Sequence, residues 1–126
     1  MMSLEGKKIC IVEDEPWFAE SVARTLESAG AETVIASNAQ SAIEQIDAFL
    51  PDAVVLDLLL AGSTGLVLLH ELRSHDDLAA LPVIICSTLI DQPTSERLRA
   101  YGVQRVLDKT TMQPDDILAA VRGVLA

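Results

Sequence analysis

Short apolar runs alternate with amphipathic stretches along the whole chain. Ile9, Cys10, Ile11 and Val12 stand in a row within Lys7 to Val12, a run that reads as a buried strand. Pro16 suits a first helical turn. Phe18, Val22, Leu26 and Ala29 then recur every three or four residues, the stripe of an amphipathic helix that Gly30 ends. Thr33 to Ala36 predicts a second, shorter strand. Ser37 or Asn38 caps a second helix, with Ala42, Ile43, Ile46 and Leu50 inside and Pro51 as its stop. Ala53 to Leu56 is the most uniformly apolar strand candidate and belongs at the sheet centre, covered on both faces. Ala61-Gly62-Ser63-Thr64-Gly65 reads as a loop, and Leu66, Leu69 and Leu72 mark a third helix. Pro82 to Cys86 predicts a fourth strand, Pro93 to Tyr101 a fourth helix poorer in apolar residues, and Arg105 to Leu107 a short fifth strand after the turn at Gly102. Pro114 opens a last helix, with Ile117, Leu118, Val121 and Leu125 apolar.

This alternation predicts an α/β fold of five β-α units, (βα)5, with no linker and no internal duplication. Such a chain forms a doubly wound parallel sheet with right-handed crossovers and helices on both faces. Five strands commonly take the flavodoxin-like order 2-1-3-4-5. At 126 residues the chain is expected to be a single domain, with its core over residues 5–126. Met1-Met2-Ser3-Leu4 is expected to lie outside the fold, as an unstructured start or a cloning remnant.

In sheets of this kind ligands bind at the carboxyl ends of the strands. Polar residues stand at four such ends: Glu13-Asp14-Glu15 after the first strand, Asp57 after the third, Ser87-Thr88 after the fourth and Lys109 after the fifth. Hard divalent cations such as Mg2+ take oxygen ligands, and one or two carboxylates plus a substrate phosphate suffice. Glu13, Asp14 and Asp57 are the candidate ligands. An Asp at the end of a buried strand can attack phosphorus and become an aspartyl phosphate. Lys109 suits the cation that neutralises charge on the phosphoryl oxygens, and Ser87 can donate a hydrogen bond to the product.

Charge narrows the partners. The net charge is −10, from 9 basic and 19 acidic residues, which disfavours nucleic-acid backbones and anionic lipid. No run approaches the ~18 apolar residues of a membrane span, and no signal peptide is expected. Cys10 and Cys86 lie in apolar runs and are expected to be free, on strands separated by a third, with a cytoplasmic address as the usual correlate.

Four motifs in order resemble the bacterial two-component response-regulator receiver domain (CheY-like), across nearly the whole chain. Ile11-Val12-Glu13-Asp14-Glu15-Pro16 resembles its acidic metal motif. Val54 to Leu60, with Gly65 eight residues after Asp57, resembles its phosphoacceptor strand and loop. Leu81 to Ser87 is similar to the strand that ends in the switch hydroxyl, and Gly102 with Lys109 seven residues on is similar to the lysine segment. The resemblance implies Asp57 as phosphoacceptor, and Asp14, Asp57 and the backbone carbonyl of Leu59 as Mg2+ ligands, with Glu13 assisting through water. It further implies Ser87 as switch hydroxyl, Lys109 as phosphoryl-binding cation, and a phosphohistidine on a sensor histidine kinase or histidine phosphotransfer protein as donor. The face of the fourth helix, fifth strand and fifth helix becomes a candidate homodimer surface. Trp17, near the start of the first helix, is expected to be partly exposed and to meet the phosphodonor.

Three positions differ from the pattern. Ala61 and Thr110 stand where Pro is common, and Val106 replaces the aromatic that moves with the switch hydroxyl. Without Pro, the Lys109–Thr110 bond is expected to be trans. Tyr101 is a weak substitute for the missing ring. The resemblance also implies that Leu59 and Leu89 flank the path of water to the phosphoryl group, and two apolar side chains there predict slow hydrolysis. A dehalogenase-like phosphatase is the rival enzyme, but Leu59 stands where its second carboxylate belongs. A silent interaction module of the same fold is the other rival. Whether the chain is a stand-alone regulator, a relay intermediate or an excised receiver is open at this point.

Overall fold

Ala53–Leu56, strand β3, is buried at every position and has a parallel neighbour on each side. The computed structural model describes residues 3–60, 63–88 and 92–126, with side chains throughout except at 63 and 92–95. Around β3 run β1 (Lys8–Val12), α1 (Pro16–Ser28), β2 (Glu32–Ala36) and α2 (Ala39–Phe49) before it in the chain. After it come β4 (Leu59–Leu60), β5 (Ser63–Thr64), α3 (Gly65–Ser74), β6 (Val83–Ser87), α4 (Gln92–Ala100), β7 (Arg105–Asp108) and α5 (Pro114–Leu125). The main sheet is wholly parallel, in the order β2-β1-β3-β6-β7. Numbered by its five long strands, this is the expected 2-1-3-4-5. The loop expected over 61–65 is in part a two-stranded antiparallel ribbon of β4 and β5, with Leu59 opposite Thr64 and Leu60 opposite Ser63. Ala61 and Gly62 lie outside the described residues.

Alternation along the strands builds two cores. Cys10, Val12, Val54, Leu56 and Ile85 face α2 and α3 through Ile46, Leu68, Leu69 and Leu72. Ile9, Ile11, Val55, Ile84 and Cys86 face α1 and α5 through Val22, Leu26, Ile117 and Val121. The two cysteines are free and buried, on opposite faces of the sheet and on strands that β3 separates. Burial pushes both thiols up to about 12, so they behave as small hydrophobes. Asn38, rather than Ser37, caps α2: its side chain accepts from the Ser41 backbone N–H at 2.8 Å.

Two apolar residues are not where periodicity puts them. Leu50 is expected inside α2 but is 70% exposed. The residue before a proline is disfavoured in α geometry, so α2 ends at Phe49 and Leu50 takes a left-handed cap with φ 55°. Leu4, expected outside the fold, is fully buried in the α1–α5 core, and its N–H bonds the Ala29 carbonyl at 2.9 Å. The chain end thus plugs the base of α1. Gly30 makes room for it, with φ +104° and a Cβ position only 3.0 Å from the Glu5 backbone. Leu4→Ala should lower the unfolding free energy by about 2–5 kcal/mol, while Leu50→Ala should change it by no more than about 0.5 kcal/mol. Urea titration of the two variants checks this, and equal effects would remove Leu4 from the core.

Candidate functional site

The carboxyl ends of four parallel strands bring the polar residues to one crevice. Glu13 follows β1 and its N–H bonds the Ala36 carbonyl at the end of β2, 2.9 Å away. Asp57 follows β3 and its N–H bonds the Val12 carbonyl at 3.0 Å. Lys109 follows β7 and its N–H bonds the Ser87 carbonyl at 3.0 Å. Backbone ladders continuing one residue past each strand therefore fix where these side chains start. Ser87 is fully buried, while Glu13 and Asp57 are 3% and 4% exposed.

Carboxylate oxygens of Glu13, Asp14 and Asp57 lie within 4.8 Å of one another. The Lys109 ammonium donates to Asp57 Oδ2 at 2.8 Å and reaches Glu13 Oε1 at 2.5 Å. Asp57 Oδ1 accepts from the Leu59 N–H at 3.0 Å, and Glu13 Oε2 from the Glu15 N–H at 3.2 Å. The ribbon and α3 are pressed onto this loop. Gly65 N–H bonds the Leu58 carbonyl at 2.9 Å, and a Cβ at Gly65 would stand 2.4 Å from the Asp57 carbonyl oxygen. Only glycine fits there. Three clustered carboxylates are the hard oxygen donors that a small divalent cation prefers, so the residues present suit Mg2+.

Residues 9–122 match the family model described as the response regulator receiver domain. The chain belongs to that family. It is 34% identical over 106 residues to the Regulator of RpoS of Escherichia coli, covering 84% of this chain and 31% of that protein. It is 30% identical over 120 residues to the phosphate regulon transcriptional regulatory protein PhoB of Pseudomonas aeruginosa, covering 95% of this chain and 52% of that one. Among solved structures it resembles the signal receiver domain of a signal transduction histidine kinase from Syntrophus aciditrophicus. That likeness has TM-score 0.85 and 28% identity, over 95% of this chain and 90% of that one. It also resembles the BeF3-activated N-terminal receiver domain of RstA from Klebsiella pneumoniae, with TM-score 0.81 and 28% identity over 94% and 97% of the two chains. The receiver thus spans about a third to a half of the curated relatives named here.

Around the acidic cluster the receiver has two aromatic neighbours. Trp17 is 69% exposed, as expected, and meets Phe18 edge to face at 5.9 Å between centroids. Both line a groove of about 360 Å³ between α1 and α5, with Thr88, Met112 and Ile117. Phe18 was expected only as part of the apolar stripe, yet its ring centroid is 4.5 Å from the Lys109 ammonium. Helical periodicity cannot reveal a contact made across the fold. The described residues contain no cis peptide bond, so Lys109–Thr110 is trans as expected. Asp108 holds that turn instead, accepting from the Thr110 N–H at 2.8 Å and its hydroxyl at 2.6 Å. Val106 is partly exposed on β7. Tyr101 is engaged elsewhere: its hydroxyl lies 3.1 Å from His70 Nδ1 and its carbonyl accepts from Arg73 Nε at 2.7 Å. Leu59 is 45% exposed at the crevice, and Leu89 lies outside the described residues.

Burial pushes the Glu13 carboxyl from 4.5 up to about 7, with the nearby Asp57 charge adding to it; hydrogen bonds from Lys109 and Glu15 work the other way. Burial also opposes the charge on Lys109, but its bonds to Asp57 and Glu13 outweigh this and hold its pKa above the ordinary 10.5. In the metal-free receiver, folded Glu13 therefore binds a proton more tightly than unfolded Glu13. The stability it contributes is full below about pH 4.5 and is lost as the pH rises through about 7. Urea midpoints of the metal-free protein should fall across that window, and Glu13→Gln should flatten the fall. A Gln variant with the wild-type pH profile would show that Glu13 is not the titrating group.

Proposed function

We propose that this receiver takes a phosphoryl group from a phosphohistidine onto Asp57 and passes the signal on through its surface. The observation that carries this reading is the Lys109 ammonium on Asp57 Oδ2, inside a buried cluster of three carboxylates. Asp57 is the nucleophile: one of its carboxylate oxygens forms the new P–O bond. The donor's P–N bond breaks, and its electron pair leaves on the imidazole. Glu13, Asp14, Asp57 and the Leu59 backbone carbonyl would hold Mg2+, Glu13 through water. When bound, that ion neutralises charge on the phosphoryl oxygens. Lys109 supplies the second positive charge and Ser87 a hydroxyl for the product. The donor is a sensor histidine kinase or a histidine phosphotransfer protein. A dehalogenase-like phosphatase would carry its second, acid-base carboxylate at position 59, where this chain has Leu59.

Incubation with Mg2+ and acetyl phosphate, followed by intact-mass analysis, tests the proposal. A single phosphoryl adduct should form on wild type. It should be lost in Asp57→Ala and when a chelator replaces Mg2+. Turnover of many phosphoesters would instead favour a hydrolase. No adduct on the folded wild type would favour a silent interaction module.

Readout rests on different residues from those usual in the family. Val106 offers no ring to swing, and Tyr101 is held to α3 by Arg73 and His70. The face of α4, β7 and α5 is a candidate surface for a homodimer. The charge of −10 argues against nucleic acid as a direct ligand of these residues, although the PhoB relative is named a transcriptional regulator. No helix among the described residues is long and apolar enough to cross a membrane, and a cytoplasmic address fits the proposed kinase partner.

Trp17 gives the donor a large apolar foothold beside the crevice, the kind of exposed ring that anchors interfaces. Trp17→Ala should slow transfer from a phosphohistidine donor about tenfold or more, while leaving acetyl phosphate labelling within about twofold. Equal losses with both donors would assign Trp17 to the fold instead.

A further inference from the structure

The geometry points to Phe18 as a positioning residue for Lys109: its ring face holds the ammonium over Asp57 by a cation–π contact and keeps it from retreating into the α1–α5 groove. This deepens the phosphoacceptor reading and rests on it.

Three observations carry the inference. The ammonium is 4.5 Å from the Phe18 centroid, well inside the ~6 Å reach of a cation–π contact. The same ammonium also meets Glu13 and Asp57, so ring and carboxylates share one charge. The Lys109 side chain is only 8% exposed, so little water competes with the ring, and the contact is stronger than at a wet surface.

The groove explains why a ring is needed. Lys109 is itself a lining residue of the 360 Å³ groove, together with Thr88, Met112 and Gln113. A flexible four-carbon stem beside such a space has somewhere else to go. Phe18 also lines the groove, and Trp17 meets it edge on. A smaller aliphatic side chain would leave the stem room and offer the charge nothing.

The consequence for phosphoryl transfer follows from the step itself. A carboxylate oxygen of Asp57 forms a bond to phosphorus, the donor's own bond to phosphorus breaks, and the bonding pair leaves with the donor (with acetate, for acetyl phosphate). Charge on the phosphoryl oxygens must meet a cation already in place, since such preorganisation is where positioning yields rate. In the resting receiver Lys109 sits on Asp57 Oδ2. During transfer that contact must loosen so that the ammonium can follow the incoming oxygens. Phe18 then holds it near the site while the carboxylate contact is exchanged.

The test replaces Phe18 by mono-, di- and trifluorophenylalanine, which drain the ring's negative face in steps at nearly constant shape. Phe18→Leu and Phe18→Tyr complete the set, with melting temperatures to verify folding. Two readouts are taken: the rate of labelling by acetyl phosphate with Mg2+, and the metal-free NMR signal of the Lys109 ammonium, visible only while shielded from solvent exchange. We expect labelling to slow stepwise with fluorination, to about tenfold in Phe18→Leu, and to be retained in Phe18→Tyr. The ammonium signal should weaken in the same order. Flat responses in both series would overturn the proposal, and so would a loss confined to Phe18→Leu, which would leave the ring a steric wall only. If wild type takes no phosphoryl group, the phosphoacceptor reading fails, and the metal-free signal alone decides whether Phe18 holds Lys109.

Discussion

One ammonium answers two buried carboxylates at the mouth of this sheet. Glu13 and Asp57 are almost completely withdrawn from solvent, and their oxygens lie with those of Asp14 inside a span of 4.8 Å. Like charges that close, away from water, are costly unless paired. Lys109 reaches both, and backbone N–H groups of Leu59 and Glu15 take up further oxygens. Burial nevertheless pushes the Glu13 carboxyl up to about 7, with the Asp57 charge adding to it. Three oxygen donors this close are what the proposed metal and phosphoryl chemistry calls for.

The scaffold tolerates this because the sheet beneath is conservative. Every long strand is parallel, β3 is buried at all four positions, and each face has its own core. Side chains alternate cleanly between those cores, so a one-residue slip of any central strand would invert its packing. Register is thereby strongly specified, and register is what carries Glu13, Asp57, Ser87 and Lys109 to one level. The electrostatic cost is borne at the strand ends, where it serves the chemistry, and the apolar layers below are left undisturbed.

The layout of the strands and the convergence of the four polar points were legible in the sequence. Runs bounded by Pro and Gly mark the elements, and α/β topology assigns polar residues after strands to a shared crevice. What escaped has identifiable causes. Leu4 is a lone apolar residue without periodic neighbours, so nothing local shows that it fills the base of α1. Leu50 carries the right spacing for the core, but Pro51 turns it outward. Strands of two residues, such as β4 and β5, are too short to carry a pattern. The ring of Phe18 over Lys109 joins residues from α1 and the loop after β7, a meeting that only the closed fold creates.

Gly65 joins the Asp57 loop to α3 without a spacer. Its backbone rests directly on the Asp57 carbonyl, with no side chain between them to act as a cushion. Packed protein resists compression, so a shift of the Asp57 backbone would press on the first turn of α3. From there the helix is a stiff arm. Arg73 lies eight residues on, about 12 Å along the axis, where it grips the Tyr101 carbonyl while His70 meets the Tyr101 hydroxyl. A tilt of about five degrees at Gly65 becomes a displacement of about 1 Å at that grip. Static contacts thus run unbroken from the crevice, along α3, to the end of α4, with a missing methyl group at their start.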